Sequence, residues 1–233
     1  MPNSWLKFWK EKNAFDDIMV INYAYFLTKV EEHIKPSSKS VVLDIGSGPG
    51  NLEDAWYNRV KEIHGLDISE RYNQIAREKH KENANVFFHQ IKEDDYLNFS
   101  ILKDKKFDII IVMSVLQYYR SIEEIIQLLV NIKKHAAPKA QLLLADLMVK
   151  NSFLKEIVQV LSEAIREGYF FSMLFLFFKL RFSGYYKVRK EAGFLVLSTN
   201  EWLEIIDKLK LNARFVEDPL TLQKNRQNLL IQF

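Results

Sequence analysis

Residues 41–51 of this 233-residue chain read VVLDIGSGPGN, and no other stretch limits the fold as much. A β-branched apolar run enters it, Gly46, Gly48 and Gly50 turn it at alternate positions, and a helical pattern leaves it from Leu52. A parallel strand buried on both faces has this continuous apolar character. Glycines after such a strand let bare backbone approach a ligand. The chain has 7 glycines and three of them fall here, so this is where it needs backbone freedom most. The stretch predicts a strand–turn–helix that binds a nucleotide-like cofactor.

The length fits one domain or one domain with an inserted cap. Hydrophobic residues make up 48% and charged residues 27%, enough for a sizeable core. Lysine and arginine total 33 against 30 acids, a net charge of +3 that gives no basic footprint for nucleic acid. With no cysteine, disulfides, thiolate zinc sites and cysteine nucleophiles are excluded, and no metal site is expected. The opening MPNSWLK has no apolar core of a signal peptide, which leads us to expect a cytoplasmic protein.

Taken in order, residues 5–35 read as a helical arm with an aromatic cluster at Trp5, Phe8 and Trp9 and apolar positions at helical spacing from Phe15 to Ile34. The arm either packs on the domain or covers the ligand. Pro36 breaks it. After the glycine turn, a short helix (52–59), strand two (62–67), a polar helix (70–83), strand three (85–90) and an almost wholly apolar strand four (107–113) follow. A helix starts at Ser121 and strand five covers 141–146. Ser121 and Glu124 have capping-box spacing, as do Ser198 and Glu201 at the start of a helix over 198–210. Residues 213–217 and 228–233 read as a terminal antiparallel strand pair. Five strands alternating with helices argue for a parallel sheet covered on both faces.

Two cofactor classes compete for a glycine turn with an acid about 20 residues later. The dinucleotide fingerprint spaces its glycines G-x-G-x-x-G, but Asn51 follows Gly50 and the third fingerprint glycine is missing. Asp44 lies two residues before the first glycine. A diphosphate gains nothing from a carboxylate beside it, whereas an ammonium or sulfonium does. Asp44 fits either a ligand contact or a buried acid capping the turn, and Asp67 fits either a ligand acceptor or a helix cap.

The pattern Asp44-x-Gly46-x-Gly48-x-Gly50, with His64-Gly65-Leu66-Asp67-Ile68-Ser69 after it, resembles the class I S-adenosylmethionine-dependent methyltransferase family over roughly residues 38–147. The resemblance implies an α/β, Rossmann-like fold. Its seven-stranded, mostly parallel sheet carries helices on both faces and an antiparallel terminal strand pair. A helical N-terminal arm and a helical insertion after strand five complete it. It implies a single domain over 1–233, divided into the arm (1–37), a cofactor-binding core (38–147), an aromatic-rich cap (148–197) and a terminal helix and strand pair (198–233). Carried over position by position, it places S-adenosylmethionine against Gly46, Ser47, Gly48, Gly50 and Asn51, with Asp44 toward the amino group. Asp67 would hold the ribose hydroxyls and Ile68 the adenine. After strand three, Gln90-Ile91-Lys92 stands where relatives often have an acid, which leaves Ile91 and Lys92 as the adenine contacts. After strand four, Ser114 and Gln117 would touch the cofactor.

The expected reaction is methyl transfer to an oxygen or nitrogen of a small-molecule acceptor, apolar or lipid- or sugar-linked. A methyl sulfonium is intrinsically reactive, so alignment can supply much of the catalysis and no dedicated nucleophile is required. Gln117, Tyr118 and Tyr185 are the acceptor-side candidates. Ser114-Val115-Leu116-Gln117 is not the Asp/Asn-Pro-Pro-aromatic segment of nucleic-acid amino-methylating relatives, which argues against a nucleobase acceptor. The apolar run 169–178, too short to span a bilayer and followed by basic residues, reads as a buried cap, a pocket wall or a surface for membrane or protein contact through 169–182. Two other readings stay open: a non-catalytic methyltransferase-like partner subunit, and a nicotinamide-dependent oxidoreductase.

Overall fold

A computed structural model describes residues 5, 8, 9, 15–150, 161, 162, 165, 166, 188–190 and 193–233. Seven strands, β1 (Val41–Ile45), β2 (Glu62–Asp67), β3 (Val86–Gln90), β4 (Phe107–Met113), β5 (Ala136–Leu147), β6 (Asn212–Val216) and β7 (Gln227–Gln232), form a single sheet. Helices α1 (Phe15–Val30), α2 (Asn51–Trp56), α3 (Glu70–Lys79), α4 (Ile122–His135) and α5 (Thr199–Leu209) accompany them. The strand order is β3-β2-β1-β4-β5-β7-β6. β1 to β5 run parallel, and β7 is inserted antiparallel between β5 and β6. The expected mixed sheet with its terminal pair is therefore present.

Side-chain alternation along the strands separates two cores. Val42, Ile111 and Leu143 face Tyr23 and Phe26 of α1 and Trp56 of α2. Leu43, Ile45, Ile110 and Leu142 face Ile125 and Leu129 of α4 and Trp202 of α5. The helices are held at their ends as well. Ser121 caps α4, whose first turn carries Glu123 and Glu124 and whose last carries Lys133, Lys134 and His135, so the charges oppose the helix dipole. α5 has a complete capping box between Ser198 and Glu201. The chain order reverses direction across the sheet between β1 and β4. In open parallel sheets that reversal leaves a crevice at the carboxyl ends of the strands.

Several boundaries differ from expectation. α2 ends at Trp56 and α3 at Lys79, short of 59 and 83. β5 starts at Ala136 rather than 141. Ala136 pairs with Phe107, then the register shifts, and Lys139 takes a left-handed φ of 67°, so residues 137–140 are an irregular stretch of the strand. At α4 only half of the capping box forms: the Glu124 carboxylate accepts from the Arg120 amide (2.8 Å) and the Tyr96 hydroxyl (2.6 Å) instead of returning to Ser121. Most of the expected cap (148–197), including the segment 169–182 and Tyr185, lies outside the described residues. Among the described residues, no helix is long and apolar enough to cross a membrane.

Candidate active site

A cavity of about 290 Å³ opens where the carboxyl ends of β1, β2, β4 and β5 meet. This is close to the lower end of small-molecule pockets, about 300–1,000 Å³. Its floor is the β1 turn, with Ile45, Gly46 and Gly48, and its walls include Asp67 and Ile68 after β2, Ser114 after β4 and Asp146 in β5.

The turn is built on left-handed backbone: φ is 79° at Gly46, 54° at Gly48 and 86° at Gly50. At Gly46 a Cβ would lie 2.2 Å from Val115 Cγ2, so only glycine fits there; at Gly48 the space is open. Asp67 clamps the turn. One carboxylate oxygen accepts from the Gly48 amide at 2.9 Å and the other from the Ser69 amide at 2.6 Å. Ser69, not Asp67, is the N-cap of α3. Each Asp67 oxygen keeps a second lone pair for another donor.

Beneath the turn lies an acidic cluster. Asp44 and Glu53 are fully buried and Asp67 is 8% exposed. Burial and the Asp67 charge push Asp44 up to about 8, and burial with the Asp44 charge pushes Glu53 well above the carboxylate range. Burial also raises Asp67, against three backbone amides that pull it down. Tyr23 lines the cavity, and its hydroxyl, raised chiefly by burial and next by Asp44, makes no well-directed hydrogen bond among the described residues. Asn51 Nδ2, at the cavity wall, is a buried donor with no partner among the described residues. Arg226 is the sole lysine or arginine among the described lining residues. When Asp44 ionises, its charge favours a cation nearby and disfavours a diphosphate.

The far end of the cavity is organised differently. Ser114 and Asp146, at the ends of adjacent strands, both hold left-handed φ values, 57° and 63°. Non-glycine residues in that region cost about 1–3 kcal/mol each and cluster at functional sites. The Ser114 hydroxyl donates to Asp146 Oδ2 at 2.6 Å and Thr221 donates to Oδ1 at 3.0 Å. Arg226 Nε lies 3.8 Å from Asp146 Oδ1. The Asn22 side chain of α1 accepts from the Leu222 amide at 3.2 Å, fastening the β6–β7 connection to α1 beside the opening.

Aromatic residues of the N-terminal arm form part of the wall. The Trp5 ring stacks on Phe194 at 4.7 Å, its Nε1 donates to the Gly193 carbonyl at 2.8 Å, and it meets Tyr118 at 5.1 Å. The Trp9 carbonyl accepts from Ser69 Oγ at 3.0 Å. Trp5 and Trp9 both pack on the domain and line the cavity.

Of the residues singled out in the sequence, Gly46, Gly48, Asn51, Asp67, Ile68, Ile91, Ser114, Gln117 and Tyr118 share this cavity. Asp44, Ser47, Gly50 and Lys92 do not line it. Alternation places Asp44 beside Val42 on the α1-covered face, near the Tyr23 hydroxyl and with no well-directed hydrogen bond among the described residues. Ser47 is buried against Gly65, whose missing side chain would meet Ser47 Oγ at 2.7 Å and Glu53 Oε1 at 2.6 Å. Gly50 is the N-cap of α2, and Lys92 is exposed past Ile91. Gln117 spends its amide on the Ser114 carbonyl (2.8 Å). Sequence reasoning missed Tyr23, Glu53, Asp146 and Arg226. Asp146 carried the one usable signal, an acid closing an apolar strand just as Asp67 does.

A family profile described as a methyltransferase domain matches residues 42–139. The chain is 29% identical over 136 residues to a ubiquinone biosynthesis O-methyltransferase of Glaesserella parasuis serovar 5 (strain SH0165), a match spanning 58% of this chain and 56% of that protein. The chain thus spans little more than half the length of this curated relative. Among solved structures, the N-methyltransferase NodS of Bradyrhizobium japonicum WM9 in complex with S-adenosylhomocysteine superposes with a TM-score of 0.54 at 17% identity, over 96% of this chain and 88% of that one. A DhpI–SAM–HEP complex gives 0.62 at 13% identity, over 99% and 96%. At these identities the structural likeness establishes the fold.

Proposed function

We propose that the chain is a class I S-adenosylmethionine-dependent methyltransferase, a reading that the methyltransferase-domain match over residues 42–139 and the O-methyltransferase relative support, and that it binds S-adenosylmethionine and transfers its methyl group to an oxygen or nitrogen of a small-molecule acceptor. The observation that supports this most is the left-handed glycine turn clamped by Asp67 above a buried acidic cluster. That combination suits a cationic adenosyl ligand and not a dinucleotide. The O-methyltransferase name of the curated relative, a small-molecule enzyme, agrees with the acceptor class. The same reading treats residues 1–233 as one domain with the arm, core, cap and terminal segments delimited above, acting in the cytoplasm as its cysteine-free composition fits.

When bound, the cofactor supplies an electrophilic methyl on a cationic sulfur. The residues of the chain hold and align. The remaining lone pairs of Asp67 would accept the ribose hydroxyls, Ile68 and Ile91 would lie against the adenine, and the Asn51 amide would donate to the carboxylate. Asp44 provides negative charge from behind the turn. Trp5 and Trp9 exclude water from the reacting atoms. Alignment of this kind is worth up to about 7–11 kcal/mol.

Calorimetric titration of the purified chain with S-adenosylmethionine, S-adenosylhomocysteine and NADH tests the reading. Binding of the first two with none of NADH is expected. Binding of NADH alone would replace the reading with an oxidoreductase. A chain that binds none of them and elutes only with a second protein would make it a non-catalytic partner subunit.

A further inference from the structure

We propose that Asn73 and Gln90 are positioning residues of the cofactor site, holding the main chain of residues 67–69 so that Asp67 meets the ribose hydroxyls and Ile68 the adenine; this goes beyond the methyl-transfer reading and rests on it. Neither side chain lines the cavity, whereas Asp67 and Ile68 both do. Asn73 is fully buried in the first turn of α3. Its side-chain nitrogen donates to the Asp67 carbonyl at 3.1 Å, to the Ser69 carbonyl at 3.0 Å and to Gln90 Oε1 at 3.2 Å. Gln90, the last residue of β3, donates from its own side-chain nitrogen to the Ile68 carbonyl at 2.8 Å. Three successive carbonyls are therefore tied to one pair of side chains.

The tie falls where regular structure gives out. β2 ends at Asp67 and α3 begins at Glu70, so neither sheet nor helix sets the path of Ile68 and Ser69 between them. A rotated peptide plane there swings both side chains that face the ligand. Binding groups must be held to within about 0.5 Å of their working geometry, which takes packing and supporting hydrogen bonds. A buried amide costs stability unless its hydrogen bonds are made, and an apolar side chain would cover the sheet at position 73 without that demand. Both ends of the Gln90 amide are directed at the protein, Oε1 at Asn73 and Nε2 at Ile68, so Gln90 acts on the adenine through Ile68.

The test measures S-adenosylhomocysteine affinity and melting temperature of the full chain. Asn73→Leu keeps the approximate volume and removes the amide. The Asp67 carbonyl still accepts from the Ile91 amide and the Ser69 carbonyl from the residue 73 amide, each at 3.0 Å, so the variant should fold. Asn73→Leu and Gln90→Met should each weaken binding by about tenfold, roughly what the loss of a supporting hydrogen bond costs at other ligand sites. If Asn73→Leu does not fold, Gln90→Met decides the matter. Added to Asp67→Ala, Asn73→Leu should cost less than about a further twofold, because residues acting as one unit do not add. Affinity unchanged in the folded single variants would overturn the proposal. So would an equal loss in both backgrounds, which makes Asn73 a support of the domain at large. If S-adenosylhomocysteine does not bind the unaltered chain, the methyl-transfer reading has failed and this one falls with it.

Discussion

The Asp67 carboxylate accepts a hydrogen bond from the Gly48 amide at 2.9 Å, tying the last residue of β2 to the middle of the glycine turn 19 residues earlier. The contact joins the two features that point to the cofactor, the alternating glycines and the acid after strand two. It also gives Asp67 two jobs, holding the turn in its left-handed path and presenting unused lone pairs to the cavity.

Asp67→Ala removes both. Loss of a charged acceptor costs about 1.5–3 kcal/mol, which corresponds to roughly 10- to 150-fold weaker S-adenosylmethionine binding by calorimetry. The melting temperature should fall as well, because the Gly48 and Ser69 amides lose their partner. Unchanged affinity in a folded variant would show that Asp67 is structural only.

Gly46 and Gly48 should respond differently to substitution. Gly46→Ala drives a Cβ to 2.2 Å from Val115 Cγ2 on left-handed backbone. The expected cost is about 1–3 kcal/mol of stability. Gly48→Val meets open space and pays chiefly the backbone term, about 1–2 kcal/mol. The circular dichroism melt of Gly48→Val should therefore stay within a few degrees of wild type while calorimetry shows no cofactor binding. A Gly48 variant that binds normally would place the ligand elsewhere.

The core of the fold was legible because its strands are apolar runs closed by acids or glycines. β4, bounded by Asp104-Lys105-Lys106 and Ser114, was read to the residue. The start of β5 was not, since Ala136-Ala137-Pro138-Lys139 has turn composition and pairs only through a register shift. The glycine-turn end of the cavity was legible because one short segment carries it. Facing was less so: the alternation that places Asp44 behind the turn is decided by which side α1 covers, and that is a long-range fact. Glu53 sits in a helix whose pattern gives no sign that its carboxylate is fully buried over Gly65. The far end of the cavity is lined by Asn22, Ser114, Asp146 and Arg226, which come from four separate segments and share no spacing rule.

On the edge-side face of β2 and β3, His64 Nδ1 and His89 Nε2 lie 2.9 Å apart with stacked rings. Burial lowers both, and His64 falls from 6.5 to about 4 although Glu62 opposes the change. The unfolded chain therefore binds more protons than the fold between pH 4 and 6.5, and the contribution of His64 is lost as pH falls through that window. Urea unfolding at pH 5 and pH 7 should show a His64 contribution smaller by about 2 kcal/mol at pH 5. In His64→Gln that part of the difference should vanish. If it persists, the other ionisable groups account for it.

Asp44 predicts the opposite slope for the unliganded protein and a pH dependence for the ligand. Its carboxyl is raised from 3.8 to about 8, so the unliganded fold retains a proton that the unfolded chain has released. Between those values this group's stabilisation declines as pH rises. A cationic ligand reverses the preference, because only the ionised form attracts it. Below pH 8, binding must therefore expel the Asp44 proton, and affinity for S-adenosylmethionine should rise about tenfold per unit between pH 5.5 and 7. Calorimetry in buffers of different ionisation enthalpy should count close to one proton released over that range. Asp44→Asn keeps the shape and removes the titration: its affinity should be flat with pH, near wild type at pH 5.5 and far weaker at pH 7. Burial raises Glu53, Tyr23 and Asp67 too, so the Asp44→Asn comparison separates the share of Asp44 from theirs. A wild-type affinity independent of pH would mean that the charge behind the turn does not reach the ligand.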